Sequence, residues 1–597
     1  MAEPFEDSRR LTGCNVYFDD TGAALETARG LAFCADAAAR WRDNVVRACD
    51  ALAWLEGEVV ARRHRSGASL AFAAPIDQLY TATEVNEWAW WSAFAFPPPL
   101  EGEGFKALAA PGHPAIWDED SALRTLQKLA AAEAKPAVIA LRTAADARAL
   151  PFLADDDAIS IGAGEGGRTW PIDALPEPDD IDWPSLHAIP TALVTGSNGK
   201  TTTVRLIAAM TRAHGWCTAH SCTDGVFLDG EALESGDFSG PGGARTALRQ
   251  QQAQAAVLET ARGGILRRGL ALCRADTAVV TNIAADHFGE YGVHDLDDLA
   301  AVKLTVARAV GDGGLLVLNA DDAVLRKHAA EMSCPIGWFA DNDDAPTLVA
   351  HRETGGAACG VKDGHLRLHW QGMTHDLGKI EAMPLTLGGR ARYNVANIAA
   401  ATLAAAALGV APATIAATLS RFGTSPHDNP GRLQHWRFGA TDIYVDYAHN
   451  PDGLHGLMRA IGADARRGRL AILLGHAGNR EDDALRAVAA AVAGYHPDLV
   501  VLKDIEGYER GRAAGEIATI MRTTLLEAAV SANAIETRLD EVDAARRPLQ
   551  WARDGDLVVL PVHEAAARNA VVALLDTLRD RGWQPGQPLP PNPGTSE

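Results

Sequence analysis

Short apolar runs recur along the middle and the end of the chain, each closed off by glycine or polar residues. Ala192-Leu193-Val194, Ala256-Val257-Leu258, Thr277-Ala278-Val279-Val280 and Leu315-Leu316-Val317-Leu318 have the length and flanks of buried strands. Segments with apolar residues at helical spacing separate them, Thr203 to Met210 being the first. Strands alternating with helices predict an α/β sheet. A second series begins after Asn429-Pro430-Gly431, with Ile443-Tyr444-Val445, Leu470-Ala471-Ile472-Leu473-Leu474, Leu499-Val500-Val501-Leu502 and Leu557-Val558-Val559-Leu560 as its strands. The Ala-rich helical stretches between them predict a small Rossmann-like unit.

The chain up to residue 185 has another texture, rich in Trp and Ala, with Trp88, Trp90, Trp91, Phe94 and Phe96 gathered before Pro97-Pro98-Pro99. Such a cluster reads as a packed core or an interface, the alternative being the lining of a substrate pocket. Proline and acidic residues from Pro176 to Pro184 read as a linker, and Gln584 to Glu597, with five prolines, as a disordered tail. The 597 residues exceed what one hydrophobic core supports. The expected division is a mixed α/β N-terminal domain over 1–185, a central α/β domain over 186–425, a Rossmann-like domain over 426–583 and the tail over 584–597.

Ile398 to Leu419 carries no charge, but its apolarity is mostly Ala, and Gly409 and Pro412 interrupt it. It therefore predicts two short packed helices and not a membrane span. A net charge of −22 disfavours nucleic acid as a partner, because that binding depends on Lys and Arg neutralising phosphates. The cysteines Cys14, Cys34, Cys49, Cys217, Cys222, Cys273, Cys334 and Cys359 contain no C-x-x-C pair. Reduced thiols are expected, with neither a disulfide framework nor a structural zinc site. The N-terminus shows no basic segment followed by an apolar one, so a cytoplasmic location is expected.

The chemistry concentrates at Gly196-Ser197-Asn198-Gly199-Lys200-Thr201-Thr202, between a strand and a helix. A glycine-rich turn there aims successive backbone N–H groups at phosphate oxygens, and the helix N-terminus adds partial positive charge. Lys200 is then placed for the β and γ phosphates and the Thr201 hydroxyl for Mg²⁺. The loop departs from the common G-x-x-x-x-G-K-[ST] pattern, since Val194 occupies the first glycine position. Glu259 follows the strand at 256–258, and Asp286-His287 follow the one at 277–280. In a parallel α/β sheet, side chains just past the carboxyl ends of strands meet where the phosphate loop opens. A carboxylate and an imidazole there can hold Mg²⁺ around a triphosphate.

The loop, with Thr281-Asn282-Ile283, Asp286-His287, Leu318-Asn319-Ala320-Asp321-Asp322, Asn394 with Asn397, Pro430-Gly431-Arg432 and Asp446-Tyr447-Ala448-His449-Asn450-Pro451, resembles the ordered signature of the Mur ligases. Leu258 to Leu270, Thr223-Asp224-Gly225, and Arg510-Gly511-Arg512 with Gly515-Glu516 look like the Mur-type half of cyanophycin synthetases. Tyr393 departs from the resemblance, standing where many Mur ligases have His, and Val562-His563-Glu564 keeps only part of a Gly-Lys-Gly-His-Glu pattern. Only about 185 residues precede the loop, so the ATP-grasp ligase of cyanophycin synthetases is expected to be missing.

The resemblance implies a central P-loop-type Mur ligase domain and a Rossmann-like C-terminal one. It also implies ATP and Mg²⁺ as cofactors and an ADP-forming reaction that joins a carboxylate to an amine through an acyl phosphate. Lys200, Glu259, His287 and Lys303 are its implied catalytic set, with Thr201, Glu259 and His287 on the metal. Gly196 to Thr202, Asn282, Arg432, Asp446 and His449 are the implied nucleotide contacts. Lys303 stands near where several Mur ligases carry a carbamylated lysine, the alternative being an ordinary surface lysine. The partners so implied are small-molecule carboxylate and amine substrates, cyanophycin-related amino acids or dipeptides among them, with no nucleic acid and no membrane; a homo-oligomer is left open. An ammonia-using amidating ligase and a non-catalytic ATP-binding protein are the alternative readings.

Overall fold

The computed structural model describes residues 4–28, 35–94, 119–286, 288–478 and 480–591, which form four sheets. The largest has eleven strands. Its middle consists of parallel strands in the order Thr218–Cys222, Ala255–Glu259, Thr191–Thr195, Ala275–Val280, Val310–Asn319, Ile336–Phe339 and Ala358–Lys362. Antiparallel hairpins extend it at both edges, Gly225–Leu228 with Glu231–Ser235 and His365–Trp370 with Met373–Lys379.

The period of two in a strand explains why the apolar runs are uninterrupted. Leu193, Leu258, Val280 and Leu318 pack into the core on one face. Their neighbours Val194, Val257, Val279 and Val317 pack into the core on the other. A sheet covered on both faces needs apolar residues at every position. The helices Lys200–His214 and Arg392–Ala407 cover the second face through Val204, Ile207, Ile398 and Leu403. The uncharged stretch is thus the buried helix Arg392–Ala407, a turn at Gly409 and the helix Pro412–Leu419. Among the described residues no helix is long and apolar enough to cross a membrane.

The C-terminal sheet has the order Gln434–Phe438, Thr441–Asp446, Leu557–Pro561, Leu470–Leu474, Leu499–Leu502 and Ile535–Thr537. Only its edge strand Gln434–Phe438 is antiparallel, as expected of a Rossmann-like unit. The N-terminal sheet is antiparallel, Phe5–Leu11, Gly22–Thr27, Gly67–Ala73 and Val59–His64, with the helices Ala35–Ala51 and Leu79–Phe94 against it. Trp41, Trp88 and Trp90 belong to that core. Trp41 donates to Asn86 Oδ1 at 2.9 Å and Trp90 to the Pro4 carbonyl at 2.9 Å, so these rings pack and do not line a pocket. Phe96 and Pro97-Pro98-Pro99 lie outside the described residues, as does the side chain of Phe94.

Two expectations are corrected. Cys14 and Cys273 are joined in a disulfide, their Cα atoms 5.8 Å apart, whereas reduced thiols were expected. The pair is separated by 259 residues and meets only because the N-terminal unit docks on the central one, which no local spacing reveals. Docking also uses Arg9 Nε on the Leu266 carbonyl at 2.8 Å and an Arg62–Asp298 ion pair at 2.8 Å. The linker is held down, with Ile181 and Leu186 packed beside Leu141 and Ala145. The tail is docked as far as residue 591, where Leu589 meets the C-terminal core and Arg546 reaches the Pro590 carbonyl.

Because the disulfide closes so long a loop, Cys14→Ser is expected to lower stability by about 2–4 kcal/mol. Urea unfolding of the oxidised protein and of Cys14→Ser checks this, and identical midpoints would contradict it.

Candidate active site

The strand Thr191–Thr195 delivers the glycine loop to the carboxyl edge of the central sheet, and the helix Lys200–His214 leaves from it. Gly199 takes φ +83°, and a Cβ there would sit 2.1 Å from Asn397 Oδ1, so both the turn and the close packing require glycine. The loop is braced from the next strand. Asn282 Oδ1 accepts the Asn198 N–H at 2.9 Å, while Asn282 Nδ2 and the Thr281 hydroxyl donate to the Asn198 carbonyl at 3.1 and 2.6 Å. Ser197 N–H donates to the Asn282 carbonyl at 3.0 Å.

Glu259 ends the strand Ala255–Glu259 and is 1% exposed. Its carboxylate accepts from the Thr201 hydroxyl at 2.8 Å and the Thr223 hydroxyl at 3.0 Å. The described residues contain no cluster of three or more His, Cys, Asp or Glu suited to a metal. Mg²⁺ does not need one, since it is usually held by one or two carboxylates, phosphate oxygens and water. The hard oxygens of Thr201 and Glu259 beside the loop fit that requirement. His287 lies outside the described residues.

Lys303, open to a surface reading in sequence, is 4% exposed and donates from Nζ to the Gly196 carbonyl at 2.8 Å. Burial, and then the neighbouring Lys200, push its amine well below the ordinary lysine range. Lys200 donates to the Ser197 carbonyl at 3.3 Å.

The C-terminal unit faces the loop. Arg432 Nη2 donates to the Thr201 hydroxyl at 3.0 Å, Asn450 to Asn198 Oδ1 at 2.9 Å, and Asn198 to Asp452 at 2.9 Å. Asp446 accepts the N–H groups of Leu433 at 2.7 Å and Ala448 at 2.8 Å, so it shapes the turn that carries His449. Burial raises its carboxyl. These groups enclose a cavity of about 150 Å³ lined by Lys200, Thr201, Glu259, Asn282, Arg432, Asp446 and His449. Tyr393, at the position that departs from the family pattern, borders it with a hydroxyl that has no partner. The space is below the ~300–1,000 Å³ usual for small-molecule sites.

A larger cavity of about 670 Å³ adjoins it, reached by Lys200, Glu259, Lys303, His449 and Arg480 and walled on the N-terminal side by Asp7, Ser8 and Arg9. Three imidazoles border it. Burial and Arg480 push His476 down to about 3, and burial and Lys503 push His563 well below the ordinary range. His449 donates to the Tyr447 carbonyl at 3.2 Å and approaches Asp286 at 3.7 Å.

Arg480 was not singled out in sequence. It follows the strand Leu470–Leu474, is 7% exposed, and pairs through Nη2 with Asp286 at 3.2 Å. Its Nε and Nη1 have no partner. The sequence signal for it is its place after a buried strand, the same signal that marks Glu259.

Residues 194–405 match the Mur ligase middle domain and residues 431–561 the Mur ligase glutamate ligase domain, together more than half of the chain. The chain is 36% identical over 375 residues to the cyanophycin synthetase of Trichormus variabilis, covering 62% of this chain and 41% of that protein. It is 35% identical over 374 residues to that of a Synechocystis species, covering 62% and 42%. It is 29% identical over 374 residues to the UDP-N-acetylmuramoyl-L-alanyl-D-glutamate–2,6-diaminopimelate ligase of Xanthomonas campestris, covering 62% and 70%. The chain thus spans about two-fifths of the length of the cyanophycin synthetases it matches. The matched regions hold the phosphate loop, Glu259, Lys303, Arg432 and the Asp446 to His449 turn, and on this agreement of sequence and site the chain belongs to the Mur ligase family.

Proposed function

We propose that this chain is an ATP-dependent carboxylate–amine ligase that forms ADP and phosphate. The observation that carries the reading is the junction of the two cavities. Lys200, Thr201 and Glu259 meet the small one at the phosphate loop, and Lys200 and Glu259 also open onto the large one. A nucleotide in the first would present its γ-phosphate to a carboxylate in the second.

A substrate carboxylate oxygen attacks the γ-phosphorus, the bond to the β-γ bridging oxygen breaks, and ADP leaves. The amine then attacks the acyl phosphate carbon, and phosphate departs with the electron pair of the broken C–O bond and the proton that the amine gives up as the amide forms. Lys200 screens the two approaching anions, and Arg432 and His449 face the nucleotide from the C-terminal unit. Thr201 and Glu259, with His287 as a further ligand, would hold Mg²⁺, which would supply charge neutralisation at the phosphates. The units 1–185, 186–425 and 426–583 would then be a substrate wall, the nucleotide-binding domain and the closing domain. Closure excludes water, which would otherwise hydrolyse the acyl phosphate.

The unpaired edge of Arg480 supports a substrate that brings its own carboxylate into the large cavity. Greater identity to cyanophycin synthetases than to the diaminopimelate ligase favours amino acid or dipeptide substrates related to cyanophycin. Burial, and then Lys200, push the Lys303 amine down, the direction that favours reaction with CO₂, and the resulting carbamate would turn a cation beside Lys200 into an anion able to bind metal.

Release of ADP and phosphate is to be measured against a panel of amino acids and dipeptides. Lys200→Ala is expected to lower the rate by roughly 10²–10³-fold with unchanged circular dichroism. A rate within tenfold of wild type would reject the site. Glu259→Gln should raise the Mg²⁺ concentration for half-maximal rate roughly 10-fold or more, and an unaltered magnesium titration would remove it from the metal site. If Lys303 is carbamylated, activity falls in bicarbonate-free buffer and returns when bicarbonate is added. Indifference of the wild type to bicarbonate would retire the carbamate.

A further inference from the structure

Asp224, in the Thr223-Asp224-Gly225 turn after the strand Thr218–Cys222, borders neither cavity. Its side chain is 7% exposed and receives three guanidinium groups: Arg568 at 2.6 Å, Arg205 at 3.1 Å and Arg432 at 3.3 Å. Arg205 belongs to the phosphate-loop helix, whereas Arg432 and Arg568 belong to the C-terminal unit. Burial raises the Asp224 carboxyl, but Arg432, Arg568 and Arg205 outweigh it and hold it at about 2.

The surroundings are built to bring the arginines there. Gly431, at φ +67°, lies against Arg568, and a Cβ on it would fall 2.0 Å from Arg568 Cδ. Only glycine lets the Arg568 side chain cross the Pro430-Gly431-Arg432 segment to reach Asp224. Both C-terminal arginines also lie over the Tyr447 ring, at 4.9 and 5.6 Å from its centroid. Arg432 gives Nη1 to Asp224 and Nη2 to the Thr201 hydroxyl, so the carboxylate fixes the angle at which its fork meets the phosphate loop.

We propose that Asp224 is a positioning residue that clamps the C-terminal unit onto the phosphate-loop unit through Arg568 and Arg432, and so holds Arg432 at the phosphate site. The clamp itself stands on this geometry; its effect on nucleotide rests on the ATP reading above.

The test uses the full chain with Asp224→Asn, Arg568→Met and Arg432→Met, singly and in pairs. Small-angle X-ray scattering without nucleotide should show a larger radius of gyration for Asp224→Asn and Arg568→Met than for wild type. Binding of a fluorescent N-methylanthraniloyl-ATP with Mg²⁺ should weaken roughly tenfold in Asp224→Asn, and by less than about twofold when the same change is made in Arg432→Met. A purely structural loss would weaken binding equally in both backgrounds, and that result overturns the proposal. So does a wild-type radius of gyration in both single variants. Arg568→Met borders no cavity and should show the same dependence on Arg432, which keeps the test decisive if Asp224→Asn does not fold. Absence of ATP-analogue binding by the wild type would sink the ligase reading, and the scattering would still decide the clamp.

Discussion

The N–H groups that a phosphate-binding loop turns to its ligand cannot also brace it, so its shape has to be imposed through its other groups. In this protein the neighbouring strand end does so. Thr281 and Asn282 hold Asn198 from both sides, and Lys303 takes the Gly196 carbonyl. Their positions depend in turn on the parallel pairing of Ala275–Val280 with Thr191–Thr195, which sets the two strand ends side by side. The cores on both faces of the sheet lock that register, because a slip would break the side-chain packing of each layer.

Electrostatics around the loop follow from the same enclosure. Basic groups crowd the junction between the cavities. Lys303, His476 and His563 are all displaced toward their neutral forms, with neighbouring cations adding to the effect of burial. The remaining positive charge is then carried by groups with specific partners, Arg432 on Thr201 and Arg480 on Asp286. Arg480 keeps Nε and Nη1 without a partner beside that pair, and these donors are suited to receive an anion.

Much of the fold was legible because strands buried on both faces announce themselves as unbroken apolar runs. Thr218–Cys222 escaped notice although fully buried, since Thr218, His220 and Ser221 are polar by type. Glu231–Ser235 is exposed throughout and carries no such signal. At the site, Lys200, Thr201 and Glu259 were readable from position alone, at a glycine turn and a strand end. Arg568 was not, because it meets Asp224 across 344 residues. The Cys14–Cys273 bridge is hidden for the same reason. Contacts that exist only once units dock leave no local pattern.

The hairpins that flank the parallel strands bear on solubility. A sheet of eleven strands would otherwise end in long rows of unpaired N–H and C=O groups, which invite a second molecule to add a strand. One border strand, Glu231–Ser235, presents Glu231 and Glu234 to solvent, and its pairing is broken by an irregular register at Val226 and Phe227. The other, Met373–Lys379, carries Asp376 and Lys379 and follows a shift between His365 and Arg367. Charge and local twist at both borders discourage edge-to-edge aggregation, so a sheet this wide can remain confined to one molecule.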